Sequence, residues 1–197
     1  MKILVLIAHP NLRSSKVNRC WEQHLLQRQE ITVHDLYANY PDSKIDYERE
    51  KELLLTHDRI VFQFPFFWYS APALLKQWQD EVFAYLWSGA EGIKMHGKDL
   101  ILAISTGSPE ESYQSDGFNH FTLEELTRPY QALAIMNEMN FLPIFKFCNA
   151  TQATDVEISH SAEKYVEHIS NPHLEALHFH NMKETKANPL PAFPYIN

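Results

Sequence analysis

Apolar and polar positions switch between two periods along this chain. Lys2–Ile7 (KILVLI) is an unbroken apolar run rich in branched residues, the pattern of a strand buried on both faces of a parallel sheet. A polar stretch, His9 to Ser14, precedes a helical pattern from about Ser15 to Gln29. Ile31–Leu36 alternates like a short strand. Beyond Pro41 a charged helix is expected, with Asp46 as its N-cap ahead of Glu48 and Glu50. Arg59–Phe64 reads as a third strand, ended by Pro65. Ser70-Ala-Pro-Ala opens the next helix, with Ser70 as cap and Pro72 in the first turn; Leu74, Leu75, Trp78 and Val82 mark its core face. Asp99–Ser105 is a fourth strand, and the connection after it, Thr106–Phe121, is long for a βα unit. Thr122-Leu-Glu-Glu125 spells a capping box, and Pro129 kinks or restarts the helix that it opens. Phe141–Phe147 reads as a fifth strand, which Pro143, having no N–H to share with a neighbour, favours at a sheet edge. A helix from about Ser159 to Ile169 closes the series.

Strands alternating with helices predict a doubly wound α/β fold with right-handed crossovers. Five parallel strands suit the flavodoxin-like order 2-1-3-4-5, in one domain over residues 1–170. Residues 171–197 hold four prolines and read as an extended tail suited to packing on a partner subunit. In such a sheet ligands bind beyond the carboxyl ends of the strands, at the point where strand order reverses. Function is therefore expected in the loops after strands one, three and four.

Composition narrows the chemistry. The 197 residues fit one domain, and 17 basic against 25 acidic side chains give a net charge of −8, which argues against a nucleic-acid partner. The two cysteines, Cys20 and Cys148, lie at no metal-ligand spacing and favour a reducing, cytoplasmic setting. No apolar run is long enough to cross a membrane, so a water-soluble protein is expected. The five glycines form neither a dinucleotide fingerprint nor a P-loop. Any phosphate must be held by hydroxyls, amides and a bare helix N-terminus.

Three loops carry candidate chemistry. Ala8 to Asn18 supplies the His9 imidazole, the Ser14 and Ser15 hydroxyls, the Asn18 amide and the N–H groups of a new helix, a set suited to a phosphate monoester. A cap by Ser14 or Ser15 alone explains the same residues equally well. Pro65-Phe-Phe-Trp-Tyr-Ser70 places four aromatics in a row, which cannot all point into the core and so leave rings for a flat ligand or a subunit contact. Ser105-Thr-Gly-Ser108, continuing to Tyr113, Asn119 and His120, offers hydroxyls and groups able to stabilise negative charge.

The His9…Ser15-x-x-Asn18 loop, the run Phe64 to Trp78 and Ser105-Thr-Gly-Ser resemble the NAD(P)H:quinone oxidoreductase family of flavodoxin-like proteins, which includes DT-diaphorase. Asn119 to Tyr130 is similar to its short bacterial branch: general stress protein 14-type oxidoreductases and ancillary proteins of glutathione-gated potassium-efflux systems. The resemblance spans roughly Lys2 to Ala150. It implies FMN, preferred over FAD because the chain is short, with NAD(P)H as co-substrate. His9, Ser15, Lys16, Val17 and Asn18 would then hold the flavin phosphate. Pro65, Phe66, Phe67, Trp68 and Tyr69 would cradle the isoalloxazine. Ser105, Thr106, Gly107 and Ser108 would line the opposite side, with Tyr113 near the flavin O2. A histidine further along this loop assists the tyrosine in diaphorase-type members; a gapless count from Tyr113 reaches Asn119, with His120 next to it.

The activity implied is a two-electron, ping-pong transfer from NAD(P)H through flavin N5 to a quinone or related acceptor, in a homodimer. The rival reading, favoured by the altered third loop, is a regulatory subunit docked peripherally on the cytoplasmic side of a potassium-efflux antiporter.

Overall fold

The computed structural model describes residues 1–89 and 91–177. Among these residues six parallel strands make one sheet: β1 (Ile3–Ile7), β2 (Ile31–Asp35), β3 (Arg59–Pro65), β4 (Asp99–Ser105), β5 (Asn140–Phe141) and β6 (Phe145–Phe147). The order is β2-β1-β3-β4-β5, with β6 also paired to β4. This is the expected 2-1-3-4-5 sheet, its fifth strand divided in two. Asn140 and Phe141 pair with Asp99 and Leu100, while Phe145–Phe147 pair with Ala103–Ser105, and Pro143 falls in the gap on the sheet edge.

Among the described residues seven α-helices cover the two faces: α1 (Lys16–Leu25), α2 (Leu36–Asn39), α3 (Tyr47–Thr56), α4 (Ala73–Ser88), α5 (Leu123–Leu126), α6 (Arg128–Met136) and α7 (Asp155–Ser170). Strand side chains alternate in direction, so each central strand feeds two cores. Leu4, Phe62, Phe64 and Leu102 pack with Leu54, Trp78, Val82 and Ala134 on one face. Val5, Val61, Ile101 and Ala103 pack with Trp21, Leu25, Ala162 and Tyr165 on the other. Helices α1 and α7 thus share one face and α3, α4 and α6 share the other.

Helix starts follow local chemistry. Asp46 accepts the Arg49 N–H at the start of α3, and Thr122 with Glu125 forms the capping box of α5. The chain then restarts at Arg128, with Pro129 in the first turn of α6, where it costs no hydrogen bond. Four boundaries differ from expectation. Strand β2 stops at Asp35, whose side chain turns to cap α2 by accepting from the N–H groups of Tyr37 and Ala38. Helix α1 stops at Leu25. Helix α7 starts four residues early, at a Thr154–Glu157 capping box. Ser70 does not cap α4: its N–H and C=O are both bonded to Phe67, and Pro72 occupies the cap position instead.

At the amino ends of the strands, Arg59 is buried and bonded to Asp99 at 2.8 Å and to the carbonyls of Ile169 and Asn171. One guanidinium thereby joins β3, β4 and the end of α7. Of the segment 171–197 expected as a tail, Asn171 belongs to this clamp and the Leu177 N–H donates to the Phe141 carbonyl, while residues 178–197 lie outside those described.

Candidate functional site: a cleft at the carboxyl ends of the strands

The first wall grows out of β1. His9 accepts the Asn11 N–H on Nδ1 at 3.0 Å, which leaves the proton of a neutral ring on Nε2. Burial lowers the His9 pKa, outweighing the opposing pull of Asp35, so the neutral form prevails. Ser15 caps α1, its hydroxyl oxygen accepting the Asn18 N–H at 3.1 Å. The N–H groups of Lys16 and Val17, in the first turn, have no intrahelical acceptor and carry the positive end of the helix dipole. Capping by Ser15 therefore leaves these N–H groups without an intrahelical partner.

Asn18 is buried and joins the loops. Its Nδ2 donates to Ser105 Oγ at 2.9 Å, and Gln63 Nε2 donates to its carbonyl at 3.1 Å. Each serine oxygen accepts from Asn18, so the hydroxyl protons of Ser15 and Ser105 stay available to another acceptor. Gln63 Oε1, buried beside Asn18, has no partner among the described residues.

The second wall is a two-residue hairpin at the end of β3. Phe67 and Ser70 exchange both backbone hydrogen bonds, at 2.9 and 3.0 Å. Between them Trp68 (φ 48°) and Tyr69 (φ 66°) are both left-handed, as a type I′ turn requires but as bulky side chains disfavour. Phe66 alone of the four aromatics is buried, edge-on to Tyr113 at 6.2 Å, whereas the Trp68 side chain is 94% exposed.

The third wall follows β4. The Thr106 N–H donates to Phe147, and its hydroxyl donates to Ser108 O at 2.7 Å. Thr151 Oγ1 bonds Gly107 O at 3.0 Å. Tyr113 is buried, which pushes its phenol pKa up and keeps it a proton donor at neutral pH. Lys146 on β6 holds this loop through Glu110 at 2.8 Å. Gly117 is required at its bend: a Cβ there would stand 2.1 Å from the Glu111 carbonyl oxygen. That turn sets which side chains reach the cleft. Asn119 faces it, with Oδ1 accepting from the Tyr69 hydroxyl at 3.1 Å. His120, left-handed at φ 59° and exposed, is not among the lining residues.

These walls enclose a cleft of about 940 Å³. His9, Ser15, Lys16, Val17, Asn18, Pro65 to Tyr69, Ser105 to Ser108 and Tyr113 all line it. Phe118, Asn119, Ala150 and Thr151 line it as well. The last two were beyond sequence reasoning, because they reach the cleft only through the pairing of β6 with β4.

A family model described as "Flavodoxin-like fold" matches residues 1–169. A Bacillus subtilis protein named an uncharacterized NAD(P)H oxidoreductase, YdeQ, is 52% identical over 172 residues, covering 87% of each chain. The chain belongs to this flavodoxin-like family of oxidoreductases. Another relative, the glutathione-regulated potassium-efflux ancillary protein KefG of Cronobacter sakazakii, is 40% identical over 87% of this chain and 94% of its own. Among solved structures, general stress protein 14 of Treponema denticola, in complex with FMN, has a TM-score of 0.81 and 38% identity over 86% of this chain and 98% of its own. An NADPH-quinone reductase from P. pentosaceus has a TM-score of 0.79 and 32% identity over 87% and 99%.

The flavin that the family implies fits the donor set. A phosphate monoester matches the free N–H groups of α1 with the Ser15 hydroxyl, and a flat ring system matches the aromatic hairpin facing Thr106 to Ser108. No helix among the described residues is long and apolar enough to cross a membrane.

Proposed function

We propose that this chain is an FMN-dependent NAD(P)H:quinone oxidoreductase. The observation that carries the reading is the convergence of a bare helix N-terminus, an aromatic hairpin and a hydroxyl-lined third loop on one cleft. FMN bound there would supply two-electron hydride chemistry between NAD(P)H and a quinone-like acceptor, the two substrates using the cleft in turn in a ping-pong cycle.

The protein's part is positioning and electrostatics. Lys16 and Val17 N–H groups, Ser15, Asn18 and neutral His9 bind the phosphate, the helix dipole adding to each bond. Pro65 to Tyr69 hold one side of the ring system, and Ser105 to Ser108 hold the other. Tyr113, kept protonated by burial, donates toward negative charge that develops on the ring. Trp68 and Phe118, both strongly exposed at the rim, offer apolar area for a two-fold contact, and the active form is a homodimer.

The test is steady-state and stopped-flow kinetics with NAD(P)H and a benzoquinone. Parallel double-reciprocal lines are expected, and Tyr113→Phe should slow the reductive half-reaction by ~10²-fold with FMN affinity nearly unchanged. Intersecting lines with Tyr113→Phe at wild-type speed contradict this mechanism. The KefG relatives favour a second reading, a regulatory subunit of a potassium-efflux antiporter. Wild-type protein that binds FMN but turns over no acceptor selects it.

A further inference from the structure

Asn119, which lines the cleft, carries one satisfied and one covered, unsatisfied side-chain polar atom. Its backbone N–H is fixed by Ser112 at 2.9 Å, and Oδ1 accepts from the Tyr69 hydroxyl at 3.1 Å. Nδ2 is covered and has no partner among the described residues. An amide donor left that way costs about 1–3 kcal/mol, so the arrangement favours any ligand that supplies an acceptor. The terminal torsion of asparagine is soft, and a half-turn about it exchanges Nδ2 with Oδ1, so that the donor stands where the exposed Tyr69 bond now lies, without moving the backbone. Tyr69, half exposed on its strained turn, is free to follow.

Position decides which ligand that is. The Tyr69–Asn119 bond is exposed, next in sequence to strongly exposed Trp68 and Phe118, whereas Asn18, Ser105 and Phe66 of the same cleft are buried. A group held permanently occupies the floor beside buried Phe66 and Ser105, whereas a rim donor meets what enters and leaves. We infer that Asn119 orients the exchanging substrate by donating Nδ2–H to its carbonyl oxygen, and that Tyr69 is the positioning residue that turns the amide. Two substrates carry such an oxygen under the proposed function, on which this inference rests: the carboxamide of a nicotinamide and the carbonyl of a quinone. The amide does not titrate, so the donor persists at all working pH values, unlike an imidazole in its place.

The experiment compares FMN-loaded wild type with Asn119→Asp, Asn119→His and Tyr69→Phe. Asn119→Asp keeps the acceptor for Tyr69 and removes the donor but adds a charge, so neutral Asn119→Leu, which lacks both groups, is measured beside it. Each should raise KM for NADH, for a benzoquinone, or for both by about three- to tenfold, the cost of one neutral hydrogen bond. Whichever KM rises names the substrate. Reduction of ferricyanide, an acceptor without a carbonyl, should be unchanged in its acceptor KM in the neutral Asn119→Leu. Asn119→His should retain most of the wild-type KM at pH 7, and Tyr69→Phe should show a smaller rise than Asn119→Asp. Direct binding of the quinone to the oxidised holoprotein, followed by quenching of flavin fluorescence, should weaken in parallel if the quinone is the partner. Equal KM values for every substrate in Asn119→Asp overturn the inference. So does a tenfold loss of FMN affinity in that variant with substrate KM intact, which assigns the donor to the cofactor. Wild-type protein without turnover instead overturns the proposed function.

Discussion

The two ends of the sheet differ in how they handle polar groups and backbone strain. Even so, Ser170 Oγ, beside the amino-end clamp, is also buried without a partner among the described residues, and Glu138 before β5 is left-handed. At the amino ends, Arg59 spends its donors on Asp99 and two carbonyls, and Asp58 accepts the Lys2 N–H at 2.7 Å. Beside the sheet, buried Glu50 is likewise complete, accepting from His34, Tyr40 and the Trp78 indole. At the carboxyl ends the donors of α1 have no intrahelical acceptor, Gln63 Oε1 and Asn119 Nδ2 have no partner among the described residues, and Trp68, Tyr69, His120 and Asn149 are left-handed. Those four are the majority of the six non-glycine residues with positive φ among the described residues, so strain gathers on the loops that make the cleft. Closed polar groups fasten strands and helices together; open ones wait for a ligand and cost stability until it arrives.

Breaking the closed end should give the largest effect. Arg59→Met strands a carboxylate and two carbonyls, and denaturant unfolding should show a loss of about 3–5 kcal/mol with the FMN affinity of the folded protein unchanged. Wild-type stability in that variant would mean that the clamp is ornamental.

The Glu50 cluster should come next. Burial alone would raise the Glu50 carboxyl pKa, but the hydrogen bond and charge of His34, with Tyr40 and Trp78, outweigh it and hold it below the ordinary carboxylate range. A depressed folded pKa stabilises above the unfolded value and loses that contribution as pH falls through the folded one. Glu50→Gln should cost about 1–3 kcal/mol at neutral pH, and the gap to wild type should close below about pH 4. A gap that widens on acidification contradicts that sign.

The smallest change is opposite in direction and sharpens the contrast most. Replacing Trp68–Tyr69 by Asn-Gly relieves two left-handed aromatics and should raise stability by about 1–2 kcal/mol while weakening FMN retention. Destabilisation by this exchange would show that the hairpin is structural rather than strained for function.

Much of this contrast was legible in the sequence, and the exceptions have physical causes. Unbroken apolar runs announce strands with two buried faces, so β1, β3 and β4 and the strand order were accessible. Thr122 and Glu125 announced α5 for the same local reason. The start of α7 was hidden because Val156 is 79% exposed, so apolar periodicity begins only at Ile158. Ser70 looked like a cap, yet the hairpin had taken its backbone, a pairing that no single residue reveals. In the third loop, one residue separates His120 from Asn119. The close approach at Gly117 decides which of them faces the cleft, and that contact is tertiary.

The central claim is that the open end is a flavin site, and calorimetric titration of flavin-free protein with FMN tests it most directly. Wild type should bind one FMN per chain. Asn18→Ala should weaken binding about tenfold or more, by losing the link between α1 and Ser105, whereas Glu50→Gln should leave it unchanged. No binding by wild type, or equal binding by wild type and Asn18→Ala, would contradict the account.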